Sequence, residues 1–379
     1  MSEFDLAEKI KVFDLIKALF RKSAISPYEL LKKEINLEGN WQENYFNWGR
    51  SALYYFFKSL KHKTITFPAF TCPTIVEPAE KAGKKVILTE IDLNTFNLDI
   101  NKIPKDTECL VVVHTFGNPV NIKEIRDRFN KLFVIEDCAH ALFSKINNRF
   151  VGNQGDAVLF SLYKQVPNIN GSLLLTKVTL KSQKARSVLS IPLPERIDLK
   201  RLIIKTQGLH QYFLNFKRCQ YLPSIEPQQL SSDKPNNLVF SLFEKGFKKL
   251  KKEIEKRRKI VDWYYQEAEE SEFIISQKPE LNSHPSYYHF AVRLKPELAH
   301  IREKVALELR KKNIFIDRLW YKAPIVQEKY IKEQKNCPNA LLLTKTVINL
   351  PIYSWYTKRD IKYLFMQLNE AVIKTKNQK

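Results

Sequence analysis

The chain lacks any run of about 18 uncharged apolar residues, the minimum for a helical membrane span. Its N-terminal stretch also lacks the apolar core and small-residue cleavage site of a secretory signal. The expected compartment is therefore the cytoplasm. Cysteine is sparse: Cys72, Cys109, Cys138, Cys219 and Cys337 are odd in number and include no CxxC pair. That pattern excludes a disulfide framework and a cysteine zinc site, and leaves mostly buried, reduced thiols. No internal repeat and no low-complexity tract interrupts the sequence. The basic charge comes without an aromatic-and-basic recognition motif, so nucleic acid is not an expected partner.

The chain has 379 residues, of which 44% are hydrophobic. That is enough for a large core, and suggests either two domains or one large and one small lobe. The formal net charge is +22. The lysines are spread along the whole length, and the densest run, Lys248 to Lys259, lies in a helical pattern with glutamates interleaved. It reads as a solvated helix face. A general positive field still suits an anionic small molecule.

Residues 1–44 form a basic leader in which Ile10, Phe13, Ile16, Leu19 and Phe20 fall near helical spacing. The pattern predicts an amphipathic helix that packs on the body of the protein or on a partner subunit, with a membrane-surface helix as the rival. A helix is expected from Gly49, with Leu53, Phe56, Phe57 and Leu60 on one face and with free N–H groups at its start that suit phosphate. From residue 63 to 176, short apolar runs (64–67, 86–88, 110–113, 133–135, 157–162 and 173–175) alternate with helical patterns. Such alternation predicts a mainly parallel sheet flanked by helices, with ligands at the carboxyl ends of its strands. His114, Asp137 and Lys164 all lie just past such runs, where they could converge on one cleft.

Residues 177–237 are irregular and broken by prolines around a helical piece near 198–218. A long helix over 238–269 leads into a smaller α+β unit: strand 288–294, helix 296–312, strand 314–318, strand 347–351 and helix 358–374. The expected division is a leader (1–44), a large domain (45–237) and a long helix with a small C-terminal domain (238–379).

The pair that matters most is Asp137 and Lys164, 27 positions apart. A lysine amine can form a Schiff base with an aldehyde cofactor and then shuttle a proton. A carboxylate beside a pyridine nitrogen keeps that ring protonated and makes it an electron sink. Taken singly, Lys164 also reads as a surface lysine, Asp137 as a helix cap and His140 as a structural hydrogen-bonding group. The ordered set is what points to pyridoxal phosphate.

With these residues the sequence resembles the DegT/DnrJ/StrS family of sugar aminotransferases, over about residues 47–374. The matching pieces are Gly49-Arg50-Ser51-Ala52-Leu53, Phe67-Pro68-Ala69-Phe70-Thr71, the 90–99 segment, Val113-His114-Thr115-Phe116-Gly117-Asn118-Pro119 and Ile135-Glu136-Asp137-Cys138-Ala139-His140-Ala141. Further along come Val151-Gly152-Asn153-Gln154-Gly155-Asp156, Phe160-Ser161-Leu162, Cys337-Pro338-Asn339-Ala340 and Asn349-Leu350-Pro351-Ile352. The resemblance implies the fold type I architecture of pyridoxal phosphate enzymes: a mainly parallel central sheet flanked by helices, plus a smaller C-terminal α+β domain. It implies that Arg50, Ser51 and Ser161 bind the cofactor phosphate, that Asp137 holds the pyridine nitrogen, that His140 lies near the phenolic oxygen, and that Lys164 is the Schiff-base lysine.

The chain departs from the family pattern at several points. The lysine falls four residues after Phe160, where much of the family has six, although its distance to Gly171 is the common one. A two-residue deletion before the lysine explains this, and Lys164 is preferred over a lost lysine at Val166. Cys72 stands where the family carries the aromatic that stacks on the cofactor, with Phe70 and Phe116 as candidate substitutes. Ser172 replaces the second glycine of a pair. The segment that reaches a neighbouring subunit's cofactor has no clear counterpart, Asn236-Asn237 being a weak candidate.

The resemblance implies a homodimeric transaminase that moves an amino group from an amino acid, with glutamate expected, to a nucleotide-linked keto sugar in polysaccharide biosynthesis. Its rivals are a cofactor-free relative acting as a scaffold, and a pyridoxal phosphate enzyme of another type, such as a sugar dehydratase. That branch of the family typically has histidine at the lysine position. Tyr321, Arg318 and His289 are candidates for the substrate site.

Overall fold

The computed structural model describes residues 10–21, 23–177, 180 and 230–378. The helical piece expected near 198–218, the first nine residues and Cys219 lie outside the described residues.

The chain opens with α1 (Val12–Phe20) and α2 (Pro27–Ile35), followed by β1 (Gln42–Phe46), α3 (Gly49–Ser59), β2 (Thr64–Pro68), α4 (Pro73–Lys81) and β3 (Lys85–Thr89). Next come β4 (Cys109–Val113), α5 (Ile122–Arg128), β5 (Phe133–Asp137), the short β6 (Lys145–Ile146) and β7 (Arg149–Phe150), β8 (Ala157–Ser161) and β9 (Ser172–Thr176). The main sheet has seven strands in the order β1-β9-β8-β5-β4-β2-β3. The block from β3 to β8 is parallel, and β9 and β1 add antiparallel strands at one side. Both faces are covered, as a parallel sheet requires. Along β4, Val111 and Val113 join one hydrophobic cluster with Phe56 and Phe67, while Leu110 and Val112 join another with Ile122 and Ile125.

A 33-residue helix, α6 (Asn237–Glu269), follows. Beyond it lie β10 (Ile274–Ser276), β11 (Ser283–His284), β12 (Phe290–Leu294), α7 (Arg302–Lys311), α8 (Pro338–Thr346), β13 (Val347–Leu350) and α9 (Lys358–Lys376). Strands β10, β12 and β13 form a small antiparallel sheet. Its core of Phe290, Val292, Ile348, Leu364 and Phe365 takes Ile260 and Tyr264 from the second half of α6. The first half of α6 gives Phe243, Phe247 and Leu250 to the cluster beneath β8 and β9. Among the described residues no helix is long and apolar enough to cross a membrane.

Three local expectations need correction. The leader ends in an edge strand, β1, whose polar Gln-Glu-Asn start hides it from a propensity reading; pairing with the apolar β9 along its whole length makes it a strand. In α1 the face that packs is Leu15 and Ala18, with Ile10 just before the helix, against Leu238 and Leu242 of α6. Phe13 and Phe20 point to solvent, 63% and 88% exposed. Residues 314–318 form no strand, only single bridge residues at Ile314 and at Asp317, the latter paired with Asn349.

Candidate active site

Strands β5 and β8 are adjacent and parallel, so their carboxyl ends, Asp137 and Ser161, open on the same edge of the sheet. Asp137 is 6% exposed, and its Oδ1 accepts a hydrogen bond from Ala139 N at 2.9 Å. Burial raises its carboxyl above the usual carboxylate range, and the charge of Lys164 opposes that rise.

The tight turn after Asp137 delivers His140. Its Nε2 lies 3.1 Å from Lys164 Nζ. Burial first, then the charge of Lys164, pushes the imidazole well below its ordinary value. A neutral ring whose Nε2 accepts from the lysine carries its proton on Nδ1. That Nδ1 is buried and has no hydrogen-bond partner among the described residues, and the same holds for Ser161 Oγ and Thr71 Oγ1.

The sequence-predicted residues thus divide into two groups. Asp137, His140 and Lys164 come together, with Ser161 three residues before the lysine at the end of β8. Arg50 and Ser51 occupy the first turn of α3. A methyl group placed on Gly49 would lie 3.4 Å from Leu159, which packs the start of this helix against the middle of β8. Ser51 Oγ is fully buried and accepts from Ser231 N at 3.2 Å, and Arg50 is half-buried. Among the described residues no hydrogen bond or ion pair joins Arg50 or Ser51 to the lysine group.

His114 does not join that group. Its Nδ1 accepts from Val120 N at 3.0 Å, and its Nε2 faces Glu136 at 3.4 Å. Glu136 also accepts from the backbone N–H groups of Gly152 (2.7 Å), Gln154 (2.6 Å) and Gly155. These bonds pin the 152–155 turn under the sheet. Cys138 completes a buried trio with His114 and Glu136, whose donor atoms are already committed to hydrogen bonds.

An aromatic wall surrounds His140. Tyr288 stacks on it at 4.3 Å, Trp320 at 5.4 Å with the planes 9° apart, and Phe116 at 6.0 Å. Phe116 and Trp320 stack on each other at 4.8 Å, and Phe70 packs edge-on against both. Phe70 and Phe116 were legible from the sequence, whereas Tyr288 and Trp320 come from far along the chain and were not. Phe116 (φ 57°), Tyr287 (φ 48°) and Trp320 (φ 65°) all hold left-handed backbone conformations. Bulky residues avoid that region unless their surroundings impose it.

Of the candidates for the substrate site, His289 is buried beside Tyr288 and driven down to about 3, by burial first and then by the charges of Arg257 and Lys164. Arg318 is ion-paired to Glu303 at 2.9 Å and lies over the Tyr321 ring. Asn236 caps α6 through Val239 N, and Asn237 binds the Arg21 carbonyl and Ser23 N.

The model of the DegT/DnrJ/EryC1/StrS aminotransferase family matches residues 49–193 and 232–369. The chain belongs to that family. Membership makes it a pyridoxal-phosphate-dependent aminotransferase of fold type I. An uncharacterised protein of Methanocaldococcus jannaschii is 28% identical over 299 residues, covering 73% of this chain and 71% of that one. GDP-perosamine synthase of Escherichia coli O157:H7 is 29% identical over 120 residues, which is 30% of this chain and 33% of that enzyme. Among solved structures, the Helicobacter pylori aminotransferase PseC superposes with a TM-score of 0.72 at 17% identity, over 100% of both chains. The E. coli GDP-4-keto-6-deoxy-D-mannose-3-dehydratase does so with 0.72 at 18%, over 97% of this chain and 100% of that one. At such identities the structural likeness establishes the fold.

The residues at the strand ends fit the cofactor that the family implies. A buried carboxyl with a raised proton affinity suits a ring nitrogen. Ser161 Oγ, without a partner among the described residues, suits a phosphate oxygen, and His140 Nδ1, likewise without one there, adds a donor.

Proposed function

We propose that this protein transfers an amino group from an amino acid, glutamate in the leading reading, to the ketone of a nucleotide-linked sugar, with Lys164 as the acid/base residue. Supporting this is the contact between Lys164 Nζ and a buried, neutral His140 at the carboxyl edge of the sheet that carries Asp137. Pyridoxal phosphate, when bound, supplies the electron sink that lets a substrate carbon lose and regain a proton. The chain's task is to hold and move that proton.

In this reading Asp137 holds the ring nitrogen as a charged hydrogen-bond pair, and binding relieves the carboxylate of its isolation. Ser161, Ser51 and Arg50 hold the phosphate, helped by the positive end of α3. His140 accepts from the Lys164 ammonium at Nε2, which fixes the amine's position between proton deliveries. The aromatic wall of Phe116, Tyr288 and Trp320 keeps water from the reacting side. The sugar half of the proposal is motivated by the family and by relatives such as the GDP-perosamine synthase. The proposed enzyme is a homodimer, testable by sedimentation.

The decisive test is borohydride reduction of the protein mixed with pyridoxal phosphate, followed by peptide mass spectrometry. The expected result is a cofactor adduct on the peptide carrying Lys164, absent from Lys164→Ala. An adduct elsewhere, or none, ends the assignment. Amino transfer from glutamate to a panel of nucleotide keto sugars then tests the substrate class. Loss of a sugar hydroxyl without amine gain would favour the dehydratase reading instead.

A further inference from the structure

The contact between Lys164 and His140 is held from behind. Gln165, the next residue, is buried, and both ends of its amide are engaged. Its Oε1 accepts from Leu142 N at 2.7 Å, and its Nε2 donates to Ser286 Oγ at 3.0 Å. The Leu142 N–H needs an acceptor, so the orientation of the amide is fixed. Ser286 Oγ thus receives one hydrogen bond, and its single proton goes to the His140 carbonyl at 3.0 Å. The contacts close a ring: Lys164, Gln165, Ser286, the His140 carbonyl, the His140 imidazole, and Lys164 Nζ again.

Ser286 is itself immobilised. It is fully buried, and its N–H is shared between Ser144 Oγ (3.0 Å) and the Gly117 carbonyl (3.2 Å). Ser144 Oγ donates to that same carbonyl at 2.7 Å. Gly117 has φ +95°, and a Cβ there would stand 2.6 Å from Ser286 Oγ. Only glycine lets the 114–118 turn approach the serine this closely. The ring therefore draws together the turn after β4, the turn after β5, the lysine loop and the segment leading into β12.

We infer that Gln165 and Ser286 are positioning residues, which hold the Lys164 amine and the His140 ring in register for the reaction by tying the backbone of the lysine loop to the backbone of His140 through two consecutive hydrogen bonds. The inference rests on the proposal that Lys164 is the cofactor lysine, and its test separates the two. No functional group of Gln165 or Ser286 need touch the reactants. Their effect lies in geometry, where small misplacements are costly.

The experiment measures the rate at which reductive trapping attaches pyridoxal phosphate to Lys164, quantified by peptide mass spectrometry, in the full chain and four variants. Gln165→Met keeps length and loses both hydrogen bonds, and Ser286→Ala loses the relay alone. Both are expected to trap about fivefold or more slowly, the loss that one net hydrogen bond of ~1 kcal/mol implies. Tyr264→Phe removes a buried hydrogen bond to the Pro351 carbonyl, far from the lysine, and is expected to trap at the wild-type rate. Gln165→Glu supplies a conservative rescue. A buried carboxylic acid is neutral at low pH and can donate to Ser286, whereas its carboxylate cannot. Its trapping rate relative to wild type is therefore expected to approach one at acid pH and to fall as pH rises.

If Gln165→Met or Ser286→Ala loses stability as Tyr264→Phe does but traps normally, the two residues are merely structural and the inference is overturned. A Gln165→Glu ratio independent of pH overturns it too, even where Gln165→Met fails to fold. Trapping on a lysine other than Lys164 in the wild type instead defeats the functional proposal.

Discussion

Gly246, on the first half of α6, faces the lysine loop, and a Cβ there would fall 2.4 Å from Val166 Cγ1 and 3.3 Å from Pro167 Cδ. Gly246→Ala therefore sets two effects against each other. Alanine in a helix interior is favoured over glycine by roughly 1 kcal/mol. Forcing a methyl into a filled space costs about 1–3 kcal/mol, because Val166 is buried and has nowhere to go. The net loss of stability should be small, roughly 0–2 kcal/mol, while the loop that carries Lys164 two residues earlier is displaced. Val166→Ala alone opens a cavity and should cost about 2 kcal/mol. In the double variant the new methyl fills the space that the valine vacated, and the helix keeps its gain. The double variant should thus be more stable than the sum of the single changes by about 1–3 kcal/mol. Urea denaturation of all four proteins measures the coupling, and trapping of pyridoxal phosphate on Lys164 reports the loop. Purely additive effects, or a Gly246→Ala protein that traps at the wild-type rate, would refute the steric argument.

Three further outcomes follow from the buried polar groups. Asp137 has its folded-state proton affinity raised by burial. Its contribution to apoprotein stability is thus full below about pH 3.9, the ordinary aspartate value, and is lost as pH rises through the raised one. Asp137→Asn should stabilise the cofactor-free protein at neutral pH while weakening cofactor binding; urea midpoints at pH 4 and 7 check the sign. Ser161→Ala removes a buried hydroxyl with no partner among the described residues, so apoprotein stability should stay level or rise. Cofactor affinity should fall roughly tenfold or more, for the loss of one charge-assisted hydrogen bond; an unchanged dissociation constant would remove Ser161 from the phosphate site. Glu136→Gln leaves one of three backbone N–H groups facing an amide, and should cost about 3 kcal/mol in denaturation.

The parallel block of the sheet was legible because its strands are continuous apolar runs buried on both faces, as Cys109–Val113 and Ala157–Ser161 show. The long helix was legible from its period. The edge strand β1 was not, since its polar sequence becomes a strand only through pairing with β9. The N-terminal helix misled because both of its faces are apolar, and periodicity cannot say which one packs. The grouping of Asp137, His140 and Lys164 could be anticipated, since each lies at a fixed offset from a strand end. Ser286, Tyr288 and Trp320 could not, because they reach His140 from a segment more than 140 residues further on. His114 sat at a strand end by the same rule, yet its nitrogens serve the Val120 amide and Glu136.

Helix α6 spans about 50 Å at the usual rise per residue and is anchored at one end in the core beneath the lysine loop, at the other in the core of the small sheet. After Gly246 it has no glycine or proline up to its end at Glu269, so it lacks the usual sites of a sharp kink. It is a rod with both ends embedded, and at Gly246 it touches the lysine loop with no side chain between, so the two cores and the loop that carries Lys164 are joined by one stiff element.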